Sequence, residues 1–173
     1  MGEDIGLLIL RLVLGLLIAG HGAQKVSRLF GGEGLDGGSR EFAADGFIGG
    51  RATAVAAGAS QLAAGLLLAL GLMTPAAAMI VAGVMTLAVT VKHRHGLWSH
   101  HGGYEYPLVL IVGAAALALA GPGSLSLDAL LGLSRPPLLI ALGTVGGGVG
   151  AGLAMRWLLH ASTSPLARHR KDR

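Results

Sequence analysis

The sequence predicts an all-α protein, a polytopic bundle of helices that cross a membrane. Hydrophobic residues make up 53% of the 173 residues and charged residues only 13%, whereas a soluble domain carries roughly 25% charged residues. The apolar residues also come in long blocks rather than in amphipathic stripes. A lipid environment without strand-like alternation favours helices, because each helix satisfies its own backbone hydrogen bonds.

Five apolar runs of 17 to 22 residues are long enough to be crossing helices, since a hydrocarbon core of about 30 Å needs about 20 residues. They cover residues 5–23, 53–72, 75–91, 104–121 and 138–159. Pro75 suits the first turn of the third helix, and Gly121-Pro122-Gly123 ends the fourth. The polar, glycine-rich segment 24–51 is expected to be a loop.

The basic residues predict which side of the membrane each end faces. With five crossings, nearly all lysines and arginines outside the apolar runs fall on one side, and only Arg135 lies on the other side with the acidic N-terminus. The positive-inside rule then places the N-terminus outside and the C-terminus in the cytoplasm. We expect a multi-pass protein of the bacterial cytoplasmic (inner) membrane. It divides into a four-helix bundle (residues 1–130), an additional transmembrane helix (131–159) and a basic cytoplasmic tail (160–173).

The same distribution bears on partners. Basic residues at the ends of apolar runs, and not on one face, predict contact with a lipid bilayer and no nucleic-acid partner. Glycines of the fifth helix, such as Gly143 and Gly147, allow another helix to approach closely. Packing within the chain is favoured over self-association, and a homo-oligomer stays open. The absence of cysteine excludes thiol–disulfide exchange, Cys-ligated iron–sulfur clusters and covalent haem attachment within this chain.

Polar side chains gather at the predicted cytoplasmic ends of three helices. They are His21, Gln24 and Lys25 in the first helix, Lys92 and His93 after the third, and Tyr104, Glu105 and Tyr106 at the start of the fourth. A carboxylate near a lysine and a histidine can hold or relay a proton, so Glu105 and His21 are candidates for proton handling and the others for ligand binding. In the alternative interpretation, the lysines extend to water and Glu105 pairs with one of them.

Arg11 and Gln61 lie inside the predicted hydrocarbon region. Arg11 is about 9 Å from the outer end of the first helix and Gln61 about 12 Å from the cytoplasmic end of the second, so their depths differ by roughly 8 Å. An intramembrane charge makes function the default hypothesis. The two residues are therefore candidates for the floor of a polar cavity that binds an anionic or quinone-like head group. Alternatively, Arg11 is a structural peg bonded to backbone carbonyls.

The loop before the fourth helix contains four histidines, His93, His95, His100 and His101. Imidazoles bind zinc, nickel and copper, which makes these residues weak candidates for a metal site. They follow no closed-site spacing, and a structural zinc site needs a defined set of four ligands. We therefore expect no metal.

Several segments resemble the DoxX family of small integral membrane proteins. They are Arg11-Leu12, Gly20-His21-Gly22, Gln24-Lys25, Gly65 to Thr74, the basic and histidine-rich segment before Gly96, Gly102-Gly103-Tyr104-Glu105-Tyr106-Pro107, and Gly121 to Asp128. They span about residues 5–130. The resemblance implies a four-helix membrane bundle, with the fifth helix and the tail outside it. It implies roles for the shared polar positions Arg11, His21, Gln24, Lys25, Tyr104 and Glu105.

The resemblance also implies redox functions. Some members of the family look like subunits of a thiosulfate:quinone oxidoreductase, and others are linked with membrane-associated oxidoreductase and oxidative-stress assemblies. Two positions depart from the family pattern: Gln61 stands where many members have a glutamate, and Lys92 where a histidine is frequent. We expect the membrane subunit or anchor of a redox system, with a soluble or membrane redox partner and quinone as the ligand. The alternatives are a scaffold without catalysis and a conduit for a small solute or ion.

Overall fold

The computed structural model describes residues 1–133 and 135–160, and within them the chain is helical. Its α-helices are α1 (Gly2–Val26), α2 (Gly34–Ala44), α3 (Arg51–Leu70), α4 (Thr74–Lys92), α5 (Glu105–Ala120), α6 (Leu127–Leu130) and α7 (Leu138–Leu159). Over these residues, extended pairing is limited to one bridge between Phe47 and His160. The predicted all-α class is confirmed. Of the predicted basic tail, only His160 lies inside the described residues.

Five helices, α1, α3, α4, α5 and α7, run between the two ends of the bundle. At one end, the amide of Ser124 donates to Asp4 Oδ1 (2.8 Å), and the amide of Asp128 donates to Gly71 O (2.8 Å). We call this the Arg11 end. At the other, the amide of Ile48 donates to Leu159 O (2.9 Å). This second end also carries Lys25, Arg51 and Lys92 and is called the basic end.

Four of these helices, α1, α3, α4 and α7, are long and apolar enough to cross a membrane. Helix α5 has 16 residues and is therefore about 24 Å long at 1.5 Å per residue, short of a hydrocarbon core of about 30 Å. It nevertheless connects the basic end to the Arg11 end. The path of the chain thus follows the five predicted runs, with the fourth shorter than expected.

The main core lies between α1, α3, α4 and α5, where Ile18, Leu68, Val81 and Leu110 are buried together. Helices α1 and α3 approach closely because glycines face each other. A Cβ atom on Gly15 would lie 2.5 Å from the carbonyl oxygen of Gly65, which no real side chain tolerates. Small residues at this interface let the two backbones touch, as membrane helices require.

Helix α7 packs along α4 by the same means. A Cβ atom on Gly148 or Gly152 would collide with the carbonyl oxygen of Met79 or Gly83, respectively. Part of the glycine pattern of the last helix therefore serves packing within the chain, as favoured from the sequence. A Cβ atom added to Gly143, Gly146 or Gly150 would meet no other atom within 4 Å, and self-association stays a prediction.

The prediction of a loop over residues 24–51 was wrong in part, because α2 lies inside it. Glycine normally weakens a helix. Because three of the eleven residues of α2 are glycine, the sequence did not predict this helix. Gly37 and Gly38 are buried, and Gly38 is needed for packing because a Cβ there would lie 2.7 Å from Lys25 O. The helix buries Phe42 and turns its charged residues outward.

Candidate functional site

A cavity of about 810 Å³ lies at the basic end, between α1, α2, α3, α4 and α5. Six of the residues predicted to form a site line it: His21, Gln24, Lys25, Gln61, Lys92 and Tyr106. Apolar walls come from residues such as Met85, Ala88 and Pro107. The convergence of helix ends that the sequence predicts therefore exists as a concave space with polar and apolar walls.

One wall of the cavity is a short chain of polar contacts. Gln24 donates through Nε2 to the carbonyl oxygen of Phe30 (2.8 Å), which leaves its Oε1 as the atom that faces His21 Nδ1 at 2.9 Å. Because Oε1 can only accept, Nδ1 carries the proton and Nε2 of the neutral ring is an acceptor. The His21 ring also meets Tyr106 edge-to-face, with 5.1 Å between ring centroids.

Two residues that line the cavity each carry a buried polar atom without a hydrogen-bond partner among the described residues. These atoms are Oε1 of Gln61, a side chain with only 5% of its surface exposed, and the phenolic oxygen of Tyr106. Buried polar groups in native proteins are nearly always bonded to protein or to ordered water. The phenol is a donor or an acceptor, and the amide oxygen is an acceptor. Both residues line the cavity, which makes them the candidates in its wall to bond an occupant.

The mouth of the cavity is charged. Lys25 Nζ bonds to Glu41 Oε2 (2.9 Å), and Arg40 bonds to Glu33 Oε2 (2.7 Å). Lys92 also lines the cavity but has no ion-pair partner within residues 1–133 and 135–160. Exposed ion pairs of this kind are weak, so the mouth presents charges that rearrange easily.

Glu105 has a different neighbour from the one the sequence suggested. Its Oε2 accepts hydrogen bonds from the amide (3.0 Å) and the hydroxyl (2.9 Å) of Ser99, and neither Lys25 nor Lys92 forms an ion pair with it in the described structure. The same loop is closed by the amide of Tyr104, which donates to Gly96 O. Glu105 and Tyr104 hold the rim of the cavity, whereas Tyr106 faces into it.

Arg11 lies at the opposite end from the cavity. Its side chain is completely buried, and Nη2 donates to the carbonyl oxygen of Leu125. Nε and Nη1 have no partner in the part of the chain that is described. The guanidinium sits where a side chain on Gly71 would stand. The expected shared site of Arg11 and Gln61 is thus not formed, and the contact with a backbone carbonyl matches the alternative of a structural peg.

Asp128 is a buried residue that the sequence reasoning missed as a structural centre. Only 3% of its surface is exposed, and its carboxylate accepts from the amides of Met73 (2.7 Å) and Thr74 (3.0 Å). It thereby caps the start of α4 from a distant part of the chain, where a negative charge is favourable. The sequence signal for this region is Ser126-Leu127-Asp128, which begins a short helix. Ser126 Oγ caps α6 by accepting from the amide of Ala129 (3.1 Å).

The histidine-rich loop is exposed. The rings of His100 and His101 lie 4.0 Å apart, and His93 Nδ1 is 2.7 Å from the carbonyl oxygen of Thr90. Within the described residues, no three His, Cys, Asp or Glu side chains are grouped so that they could hold a metal ion. His93 does not line the cavity.

A comparison with models of protein families identifies the family of the chain. The model of the DoxX family matches residues 6–94, which is 89 of 173 residues and just over half of the chain. The chain belongs to the DoxX family. With its apolar helices, this DoxX protein is a multi-pass membrane protein in contact with the lipid bilayer. The matched range includes His21, Gln61 and Lys92 but ends before Tyr106 and before α7. No curated protein and no solved structure matches the chain.

Proposed function

We propose that this DoxX protein is the membrane subunit or anchor of a redox system and that its cavity binds the head group of a quinone. The observation that carries the proposal is that two residues lining a cavity of about 810 Å³, Gln61 and Tyr106, each have a buried atom, Oε1 and Oη, without a partner among the described residues. A buried polar group without a partner costs about 1–3 kcal/mol. A ligand that bonds to both atoms recovers that cost.

The residues in the cavity fit a quinone. The Tyr106 hydroxyl can donate to a ligand carbonyl or accept from a ligand hydroxyl, and Gln61 Oε1 can accept from a hydroxyl. Met85, Ala88 and Pro107 supply the apolar contact that a ring and a prenyl chain need. Ligand pockets typically measure about 300–1,000 Å³, and this cavity falls within that range. When bound, a quinone supplies reversible uptake of two electrons and two protons.

His21 is the residue in this site that is best placed to move a proton. Its Nδ1 is held by Gln24, so Nε2 is the atom that takes up or releases a proton in the ring. Glu105 was the other candidate, but its carboxylate bonds to Ser99 and acts on the shape of the rim. We therefore assign proton handling to His21 and a positioning role to Glu105.

The basic end is proposed to face the cytoplasm of a bacterium, with the N-terminus outside the inner membrane. Lys25, Arg51 and Lys92 all lie at the basic end, and the positive-inside rule places such an end in the cytoplasm. The electron donor is then a soluble or membrane redox protein that docks at the charged mouth. The closed contacts around Arg11 and Leu125 favour a binding site over a conduit through the bundle.

The test measures quinone in protein purified from native membranes in mild detergent. Wild type should retain close to one quinone per chain. Tyr106→Phe removes only the hydroxyl and should weaken binding by about 1 kcal/mol, or about fivefold. Tyr104→Phe is the matched control, because Tyr104 does not line the cavity, and it should bind quinone like wild type.

Two results would contradict the proposal. Background quinone in wild type would favour the non-catalytic scaffold, and a stable protein partner would then be sought. Equal losses in Tyr106→Phe and Tyr104→Phe would show that quinone is bound somewhere other than this cavity.

A further inference from the structure

We infer that the last turn of α7 holds the α2 wall of the cavity in position, so that ligand binding depends on Arg156 and Leu159 although neither lines the cavity. Helix α7 lies outside the residues that match the DoxX family and looks like an addition to the bundle. Its contacts make it part of the site. The inference rests on the proposed function only for the identity of the ligand.

The end of α7 is joined to the segment that follows α2. The amide of Ile48 donates to the carbonyl oxygen of Leu159 (2.9 Å), and Phe47 forms an antiparallel bridge with His160. These are backbone contacts between residues more than 100 positions apart. They fix the position of the segment that follows α2 relative to the end of α7.

Arg156 adds two contacts to the same segment. Its Nη1 donates to the carbonyl oxygen of Asp45 (3.3 Å), the first residue after α2. Its guanidinium lies over the ring of Phe47, 4.9 Å from the centroid, a geometry in which cation and ring attract. Arg156 thus ties α7 to the residue that follows α2 on one side and to Phe47 on the other.

A continuous set of contacts leads from Phe47 to the cavity. The ring of Phe47 meets that of Phe42 on α2 edge-to-face at 5.7 Å. Lys25 Nζ lies 5.0 Å from the Phe42 ring centroid and bonds to Glu41. Lys25 and Glu41 are cavity residues. A shift of Phe47 is therefore passed to the cavity wall through two side-chain contacts.

Leu159 closes the small core beneath this wall. Phe42, Phe47 and Ala54 form a second buried cluster, called here the satellite core, and Leu159 packs against it. A second cavity of about 70 Å³ lies between these phenylalanines and α4. The satellite core is thus loosely filled, and α2 has room to move when Leu159 is shortened.

Helix α2 depends on such contacts because it is weak by itself. It has 11 residues, three of them glycine, and an isolated helix of this length is marginal in water even with better sequences. The ion pairs on its outer face are exposed and contribute little. Its position is therefore fixed by packing: by the close contact of Gly38 with Lys25 O on α1, by the satellite core and by the end of α7.

The experiment compares Leu159→Ala with Leu158→Ala in the full chain. Leu158 is the adjacent residue, with 59% of its surface exposed, and serves as the matched control. Each variant is combined with Ala88→Cys, since Ala88 lines both cavities and the chain has no native cysteine. The rate at which a water-soluble maleimide labels position 88 reports access to the cavity whatever its ligand, and extracted quinone reports occupancy.

Leu159→Ala should raise the labelling rate about threefold, as expected for local opening, and lower bound quinone by a similar factor, whereas Leu158→Ala should change neither. Equal labelling and equal quinone in the two variants would overturn the inference and leave the proposed function intact. A difference in labelling rate between the two variants, in protein that carries no quinone, would support the role of α7 and contradict the proposal that the cavity binds quinone.

A second pair of variants covers the case in which Leu159→Ala does not fold. Arg156→Leu removes both contacts of the guanidinium, and Arg156→Lys keeps a cation over Phe47. Arg135→Leu is the control, because Arg135 also donates to a backbone carbonyl, that of Leu119 (2.7 Å), but at the Arg11 end. Faster labelling in Arg156→Leu alone supports the inference, and the same change in Arg135→Leu overturns it.

Discussion

Both ends of the bundle bury polar side chains, but these side chains have different neighbours. At the Arg11 end, Arg11 and Asp128 bond to backbone groups of distant segments, although Arg11 Nε and Nη1 have no partner in the described residues. At the basic end, Gln61 and Tyr106 keep buried atoms without a partner in the described residues, beside a cavity. A buried charge bonded to the backbone fastens the chain to itself, whereas an unpartnered group on a residue that lines a cavity is a candidate to bond a ligand. The less conspicuous residues of the sequence therefore form the better candidate for a binding site.

The strongest test of this difference is Gly71→Ala at the Arg11 end. Gly71 has a φ of +62°, a conformation that costs an L-residue about 1–2 kcal/mol. A methyl group there would also displace the Arg11 guanidinium, which is fully buried, and would break its bond to Leu125 O. We expect a total loss of at least about 3 kcal/mol, measured by thermal unfolding in detergent.

Gly132→Ala is the control for the backbone part of that loss. Gly132 has a φ of +70° and nothing within 4 Å of a would-be Cβ. Its loss should be about 1–2 kcal/mol. If both variants lose the same free energy, Arg11 does not fasten the Arg11 end, and the contrast between the ends disappears.

A smaller effect is expected from Glu105 at the rim of the cavity. Glu105→Ala removes the acceptor of both bonds from Ser99, so hydrogen exchange of the Ser99 amide should speed up and bound quinone should fall. Glu105→Gln keeps one acceptor oxygen and should change both measurements less. Quinone loss in Glu105→Gln with normal exchange at Ser99 would instead assign Glu105 a role in proton transfer.

Much of the fold follows from the sequence because lipid imposes a simple rule. Long apolar runs such as 5–23 and 138–159 become helices with few alternatives, and the observed bounds differ by only a few residues. Helix α2 escaped prediction because its glycines lower helix propensity. The benefit of one of them, the close contact of Gly38 with Lys25 and Ala54, comes from tertiary packing that no local pattern reveals.

For the candidate site, the sequence predicts only the depth of each residue along its helix. Depth along each helix correctly brings His21, Gln24 and Tyr106 to the same level. Depth alone also suggested that Arg11 and Gln61 meet, because it does not show which faces oppose each other or where the connection 121–133 folds. That connection brings Leu125 and Asp128 against α1 and α4. Leu125 is therefore the neighbour of Arg11, in the place where the sequence had suggested Gln61.

The smallest expected effect is a pH dependence that compares Asp45, between Phe42 and Phe47 in the chain, with Asp36 on the exposed face of α2. Burial raises the pKa of the Asp45 carboxyl above its usual 3.8, and Glu41 adds to the rise, while Lys92, Lys25 and Arg156 oppose it. Ionised Asp45 therefore disfavours folding: wild type loses stability relative to Asp45→Asn as the pH rises from 3.8 through the raised pKa.

Asp36 on the outer face should show the opposite slope. The hydrogen bond from Arg51 lowers the pKa of the Asp36 carboxyl below 3.8, so wild type should be more stable than Asp36→Asn above that pH and lose the advantage as the pH falls. Free energies of unfolding measured across this range for both variants decide the matter. Parallel slopes would mean that the cations near Asp45, which are Lys92, Lys25 and Arg156, outweigh the effect of its burial.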